Sequence, residues 1–459
     1  MSYRIVKGKS TDASAIPLKP LDKATFKAWQ AKAAKTQKQW ADAAGFKANP
    51  GQVILLPTAQ GLIKEVLFGQ QEQGYLYQLA AIYGSLPAGN YRLECDWTED
   101  QKRQAMLGWG LAAYRFERYR KSTRPRPRLL LPAEFAAAVQ ALLDAQTLVR
   151  DLVNTPTEHL GPAELVSAVE AEAAAFGART RSISGDELLA QNFPAIHAVG
   201  RASHRPPMLV ELDWGEAGHP LLALVGKGVC FDTGGLDLKN SSGMALMKKD
   251  MGGAAHALAL ARLVMQAKLP VRLKLLVPAV ENSVAGNAYR PGDIIPTRKG
   301  LHIEIGNTDA EGRVVLSDAL AYASESKPDL IVDFATLTGA ARVALGTDLP
   351  ALFSNSRDVA RVIQDVGDAC EDPLWTMPLY RPYRDLIKSP LADLNNSGKS
   401  PYGGCITAAL LLEYFVAEKT DWVHLDTFAW NQSSRPGRPE GGEALGLRAM
   451  FQYLQRRYA

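Results

Sequence analysis

Leu221-Leu-Ala-Leu-Val-Gly-Lys-Gly-Val-Cys-Phe-Asp-Thr-Gly-Gly235 is the stretch that decides the fold. Its first six residues form a continuous apolar run, as a strand buried on both faces requires. A glycine-rich turn follows at once and carries a lysine and an aspartate. The same grammar recurs downstream. Residues 273–280, 330–335 and 422–425 read as strands, and residues 252–267, 313–323 and 408–417 as helices. Alternating strand and helix predicts an α/β domain, with a mixed, mostly parallel sheet flanked by helices. In such sheets ligands sit beyond the carboxyl ends of the strands.

Toward the amino terminus the pattern is less regular. Residues 53–57 read as a buried strand and 101–119 as an amphipathic helix. The basic, proline-broken run 121–128 reads as a linker, because proline and repeated like charge resist packing. Residues 132–153 read as a long helix that stops at Asn154-Thr-Pro156. The expected organisation is a smaller α/β domain over 1–130 and a catalytic domain over 131–459, with 132–153 as the linking helix.

The bulk numbers narrow the function classes. Hydrophobic residues make up 47% and charged residues 22% of the 459 residues, a globular balance. A net charge of +4 gives nucleic-acid binding little support. No apolar run reaches the roughly 18–20 residues that span a bilayer, so no membrane partner is expected. The first ten residues lack the apolar core of an export signal. The four cysteines form no CxxC pair, so reduced thiols in a cytoplasmic protein are expected.

The chemistry concentrates in two places. Asn307-Thr-Asp-Ala-Glu-Gly-Arg313 puts two carboxylates two residues apart with an arginine two further on. Upstream lie Lys227, Asp232, Lys239 and Asp250 among glycines. In a regular strand Asp309 and Glu311 would share one face. Burying four acids so densely calls for strong counter-charge, which two divalent ions would provide. Carboxylates suit Mg²⁺ and Mn²⁺, and Zn²⁺ accepts them. The seven histidines are isolated, so His256 and His424 read as satisfied core residues, and no GxSxG elbow is present. A metal pair fits amide hydrolysis, in which a lysine can join the coordination once neutral and other cations can hold an oxyanion or a small anion.

These motifs resemble the leucyl aminopeptidase (cytosol aminopeptidase) family of di-metal exopeptidases. Residues 307–313 match its signature, 225–235 its first metal loop and 247–255 its second; 154–156, 281–282, 291–293, 335–340 and 403–408 follow in the family's order. The resemblance implies that Lys227, Asp232, Asp250 and Glu311 hold the tighter ion. Asp232, Asp309 and Glu311 would hold the more exchangeable one. Zinc or manganese, and by its chemistry magnesium, are the implied metals. Lys239 would stabilise the gem-diolate. Arg313 would hold a bicarbonate acting as general base, with the backbone around Leu337 orienting it. Met247, Thr336 and Gly339 match the wall of the pocket for the first side chain, which implies a leucine- or methionine-like preference. A homohexamer acting on peptides or dipeptides is implied, with the amino-terminal domain serving assembly. Thr427-Phe-Ala-Trp430 departs from the small residues usual after His424-Leu-Asp426, so Phe428 or Trp430 either reshapes the pocket or packs in the core. Two other functions stay open: a narrow dipeptidase, for cysteinylglycine for instance, and a DNA-binding hexamer using residues 118–128.

Overall fold

The computed structural model describes residues 5–7, 14–72, 74–123 and 126–458. Two compact units emerge: Met1–Thr147 with Ser433–Glu440, and Leu148–Gln432 with Gly441–Ala459. The boundary falls inside the helix Ala133–Asn154.

In the first unit a six-stranded sheet runs in the order 5–7, 127–131, 89–93, 16–21, 63–69, 53–57. Its pairs are parallel except the last. The run read as a linker instead ends in a strand, Pro127–Leu131, and Arg126 pairs with Glu117. Leu129, Leu130 and Leu131 are buried and pull the segment into the sheet, while Pro127 takes the first strand position, where a missing N–H is tolerated. Arg124 and Pro125 lie outside the described residues.

The second unit carries the nine-stranded sheet. Asp421–Asp426, Leu330–Ala335, Leu221–Gly226 and Arg272–Asn282 lie side by side in parallel. All six residues of the strands at 221–226 and 330–335 are buried, as their continuous apolar runs predict. Met208–Trp214 and Arg179–Ser184 extend one side antiparallel, so the sheet is mixed. Helices Pro162–Phe176, Gly252–Gln266 and Leu447–Tyr458 form one packed group. Pro194–Gly200, Glu311–Glu325 and Gly404–Glu413 form another. Four parallel strands therefore end at one edge, and their ends supply Lys227, Asn282, Thr336 and Asp426.

Candidate metal centre and active site

Each acid in the site is placed by backbone geometry. Strand Leu221–Gly226 delivers Lys227, which is 2% exposed. The next strand, Gly228–Asp232, ends on Asp232, and the chain turns back through Gly234 and Gly235 at φ +88° and +67°, which favour glycine. Asp250 lies in the 3₁₀ turn Met247–Met251 ahead of the helix Gly252–Gln266. Asp309 and Glu311 do not share an extended strand. Asp309 sits in a turn held by its own N–H donating to Asn307 Oδ1 (2.7 Å), and Glu311 opens the helix Glu311–Glu325. The free N–H groups of a helix's first turn favour an acid there, which the strand reading overlooks.

These residues converge. Asp232, Asp309 and Glu311 each bring a carboxylate oxygen within 4.8 Å of the others. Lys227 Nζ stands 2.7 Å from both Asp250 Oδ2 and Glu311 Oε1 and also donates to the Thr336 carbonyl at 3.0 Å. Lys239 Nζ lies 2.9 Å from Asp232 Oδ2 and pairs with Asp309. Four carboxylates thus share two ammonium groups at ion-pair distance. Asp232, Asp250 and Glu311 are at most 3% exposed.

The electrostatics report the same shortage of positive charge. Burial, reinforced by Asp250, pushes Asp232 up to about 6 against the pull of Lys239 and Lys227. Burial and then Asp232 drive Glu311 well above the carboxylate range. Burial opposes the charge on Asp250, but Lys227 and then Lys249 hold it low. Burial alone would lower Lys227, but Asp250, Glu311 and Asp232 together raise it. Carboxylate oxygens of Asp232, Asp309 and Glu311 gathered within 4.8 Å of one another, in a group with surplus negative charge, fit divalent cations with oxygen ligands.

The remaining candidates divide. Met247, Thr336, Leu337 and Gly339 line a cavity of about 760 Å³ together with the acids, Lys227 and Lys239. Arg313 stands outside that lining; it is half-buried and donates to the Asn396 carbonyl. The Leu337 N–H donates to Asp426 Oδ1 at 3.0 Å and so is already engaged. Phe428 lines the cavity. Trp430 lies outside its lining and packs under Lys248, with Nζ 5.4 Å from the ring centroid.

Several supporting residues have no role assigned from the sequence, although Asn282 and Thr308 fall in blocks matched there. Asn282 donates to Asp232 Oδ1 (2.8 Å) and to the Thr308 carbonyl (3.0 Å). Tyr289 donates to the same carbonyl at 2.6 Å, and Thr308 Oγ1 to Gly234 O at 2.6 Å. Asp426 accepts from Leu337 N, Thr338 N and Thr338 Oγ1. Apart from those blocks, their signal is position: Asn282 and Asp426 end strands of the parallel sheet. His256 and His424 sit in the core as expected. His256 Nε2 accepts from Leu445 N (3.0 Å), so Nδ1 donates to the Gly252 carbonyl at 2.7 Å.

A family model described as the catalytic domain of the cytosol aminopeptidase family matches residues 147–451, and an M17 aminopeptidase N-terminal domain matches 16–132. A probable cytosol aminopeptidase of Geobacter sulfurreducens is 40% identical over 323 residues, covering 70% of this chain and 65% of that relative's length. One from a Synechococcus species is 35% identical over 437 residues, covering 89% of each. Among solved structures, the cytosol aminopeptidase from Coxiella burnetii superposes with a TM-score of 0.96 at 47% identity, over 99% of this chain and all of that one. The bottromycin maturation enzyme BotP, in complex with Mn, superposes with a TM-score of 0.87 at 31% identity, over 97% of this chain and all of that one.

Proposed function

The chain belongs to the cytosol aminopeptidase family, hydrolases of the exopeptidase class, and on that premise we propose that it is a metal-dependent aminopeptidase releasing single residues from the amino termini of peptides. The observation that carries this reading is the convergence of Asp232, Asp309 and Glu311 on one point of the cavity.

Lys227, Asp232, Asp250 and Glu311 would hold one divalent ion, and Asp232, Asp309 and Glu311 a second. Bound there, two such ions supply Lewis-acid polarisation of the scissile carbonyl and a lowered pKa for water. The protein supplies the rest. Lys239 lines the cavity on a stem that is only partly exposed, which supports its donating to the oxyanion as the carbonyl carbon becomes tetrahedral. Arg313 spends one N–H on Asn396, and its other guanidinium N–H groups have no partner among the described residues, which supports its holding a small anion such as bicarbonate. Zinc and manganese are the metals this reading favours, magnesium a lesser one.

Met247, Thr336 and Gly339 would wall the pocket for the first side chain. Their apolar surface supports leucine- and methionine-like residues, and Phe428 narrows the space. A hexamer and a cytoplasmic location are parts of the same reading; among the described residues no helix is long and apolar enough to cross a membrane.

The test is hydrolysis of leucine p-nitroanilide by metal-stripped protein before and after Mn²⁺ or Zn²⁺ addition, beside Asp309→Ala. The reading predicts activity that metal restores and that the variant lacks. Failure with leucine, methionine and cysteinylglycine substrates under every metal would refute it.

A further inference from the structure

Two cations in the cavity, Lys249 and Arg342, have no role in the scheme above. Lys249 is 5% exposed, yet it lines the cavity. Its ammonium has no hydrogen bond and no ion pair among the described residues. What it faces is the ring of Phe428, with Nζ 4.5 Å from the centroid. The Arg342 guanidinium approaches the same ring at 5.2 Å, and it too has no carboxylate partner among the described residues. Arg342 belongs to the exposed helix Gly339–Leu345, at the start of which Gly339 lines the cavity. Phe428 thus carries a buried cation and an exposed one.

The nearby acids are committed elsewhere. Asp426 spends its oxygens on Leu337 N, Thr338 N and Thr338 Oγ1. Asp250 is bound to Thr336 Oγ1 (2.7 Å) and stands against Lys227. Asp250 and Asp426 attract the Lys249 charge without a hydrogen bond or ion pair to it, so an ammonium desolvated against an aromatic face forgoes most of the solvation it had in water. A ligand carboxylate would restore it. The residues around Lys249 fix where that carboxylate comes from. Met247 precedes it by two positions, and Met247 and Gly339, assigned above to the wall for the first side chain, line the same cavity as Phe428. A side chain with an apolar stem and an anionic tip would lay the stem on Met247 and bring the tip to Lys249.

Resting on the aminopeptidase reading, we infer that the Lys249–Phe428–Arg342 cluster is a specificity subsite for acidic first residues, glutamate above all, which the enzyme accepts in addition to apolar ones. Lys249 is the specificity-determining residue and Arg342 adds positive charge at the rim. A pocket built around an unpaired polar group discriminates by far more than a methylene does.

The experiment compares Leu-, Glu- and Gln-p-nitroanilide with the Mn²⁺-loaded full chain and its Lys249→Met variant, whose side chain keeps the stem and loses the charge. Glu is expected to be cleaved with a kcat/KM within about tenfold of Leu and at least tenfold above Gln. Lys249→Met should lower the Glu-to-Leu ratio at least tenfold, chiefly through KM, and Lys249→Arg should restore part of it. If Leu is cleaved but Glu is no better than Gln, or if the ratio survives Lys249→Met, the inference is overturned while the aminopeptidase reading stands. If no substrate is cleaved with any metal, both fall together. Should Lys249→Met not fold, judged by its melting curve, the wild-type Glu-to-Gln comparison decides alone.

Discussion

Gly253 has no room for a methyl group. A Cβ built there would lie 2.2 Å from the carbonyl oxygen of Phe334, backbone that cannot swing aside. The helix Gly252–Gln266 would have to lift off the strand Leu330–Ala335, and with it the turn that presents Asp250. Gly253→Ala should therefore lose about 1–3 kcal/mol or more of stability by denaturant unfolding. Gly286→Ala, where nothing lies within 4 Å and φ is not left-handed, should stay within about 0.5 kcal/mol; equal losses in the two would refute the steric account. Asn282 acts one step back from the chemistry. By donating to Asp232 Oδ1 and to the Thr308 carbonyl, it orients a carboxylate that two metal sites would share. Asn282→Ala should weaken Mn²⁺ activation by about 10–100-fold, read from the metal concentration giving half-maximal activity, with little change at saturating metal. A lowered maximum at unchanged metal affinity would instead make Asn282 a catalytic group. At this scale the acids are legible because glycines and apolar runs bracket them. Lys249 is not: Lys248-Lys249 looks like any solvated charge pair until the fold buries the second.

The strands at the centre of the sheet are equally legible, and for a physical reason. Leu221–Gly226 and Leu330–Ala335 are covered on both faces, so burial demands unbroken apolar sequence. Arg179–Ser184 pairs at the sheet's edge with five of six side chains exposed, and its polar sequence gives no period to read. The turn at Asp309 escapes a sequence reading because period-two spacing cannot be told from a helix start by two residues alone. The paired strands Leu330–Ala335 and Asp421–Asp426 hold a further consequence of burial. His424 Nδ1 lies 2.5 Å from Asp333 Oδ1, and Trp422 Nε1 donates to Asp333 Oδ2 at 2.6 Å. Burial alone would lower His424, but Asp333, and then Asp426, raise it above the ordinary histidine value; the rings of Phe353 and Trp422 beside it carry no charge. A raised pKa in the folded state means that the proton favours folding. The contribution is complete below the unfolded value of about 6.5 and disappears as pH rises through the folded value, each tenfold gain in proton affinity on folding being worth about 1.4 kcal/mol. Urea unfolding of the second unit should weaken from pH 6.5 to 9 in the wild type, and His424→Asn should flatten that decline. Parallel slopes would mean that the imidazole is neutral throughout.

Across the whole molecule, the surplus of buried carboxylates makes the second unit the one whose stability depends on metal. Three buried acids and a part-exposed fourth around two ammonium groups are a cost to folding that water offsets only in part. A ligand that binds only the folded state stabilises it by mass action, about 2.7 kcal/mol at a hundredfold excess over Kd. The gain should be local, because the residues that would hold metal all belong to the second unit, while residues 16–132 form a separate sheet with its own core. Hydrogen exchange followed by peptide mass should therefore slow on Mn²⁺ addition in segments 227–250, 278–284 and 305–315, and stay unchanged across 16–132. In Asp309→Ala the slowing should shrink most at 305–315, since Asp232, Asp250 and Glu311 still offer one ion a site with Lys227. Uniform slowing over both units would point to metal acting between copies of the chain. No slowing anywhere, with metal in large excess over protein, would mean that the two lysines already satisfy the acids and that the cluster is an ion-pair network built for stability.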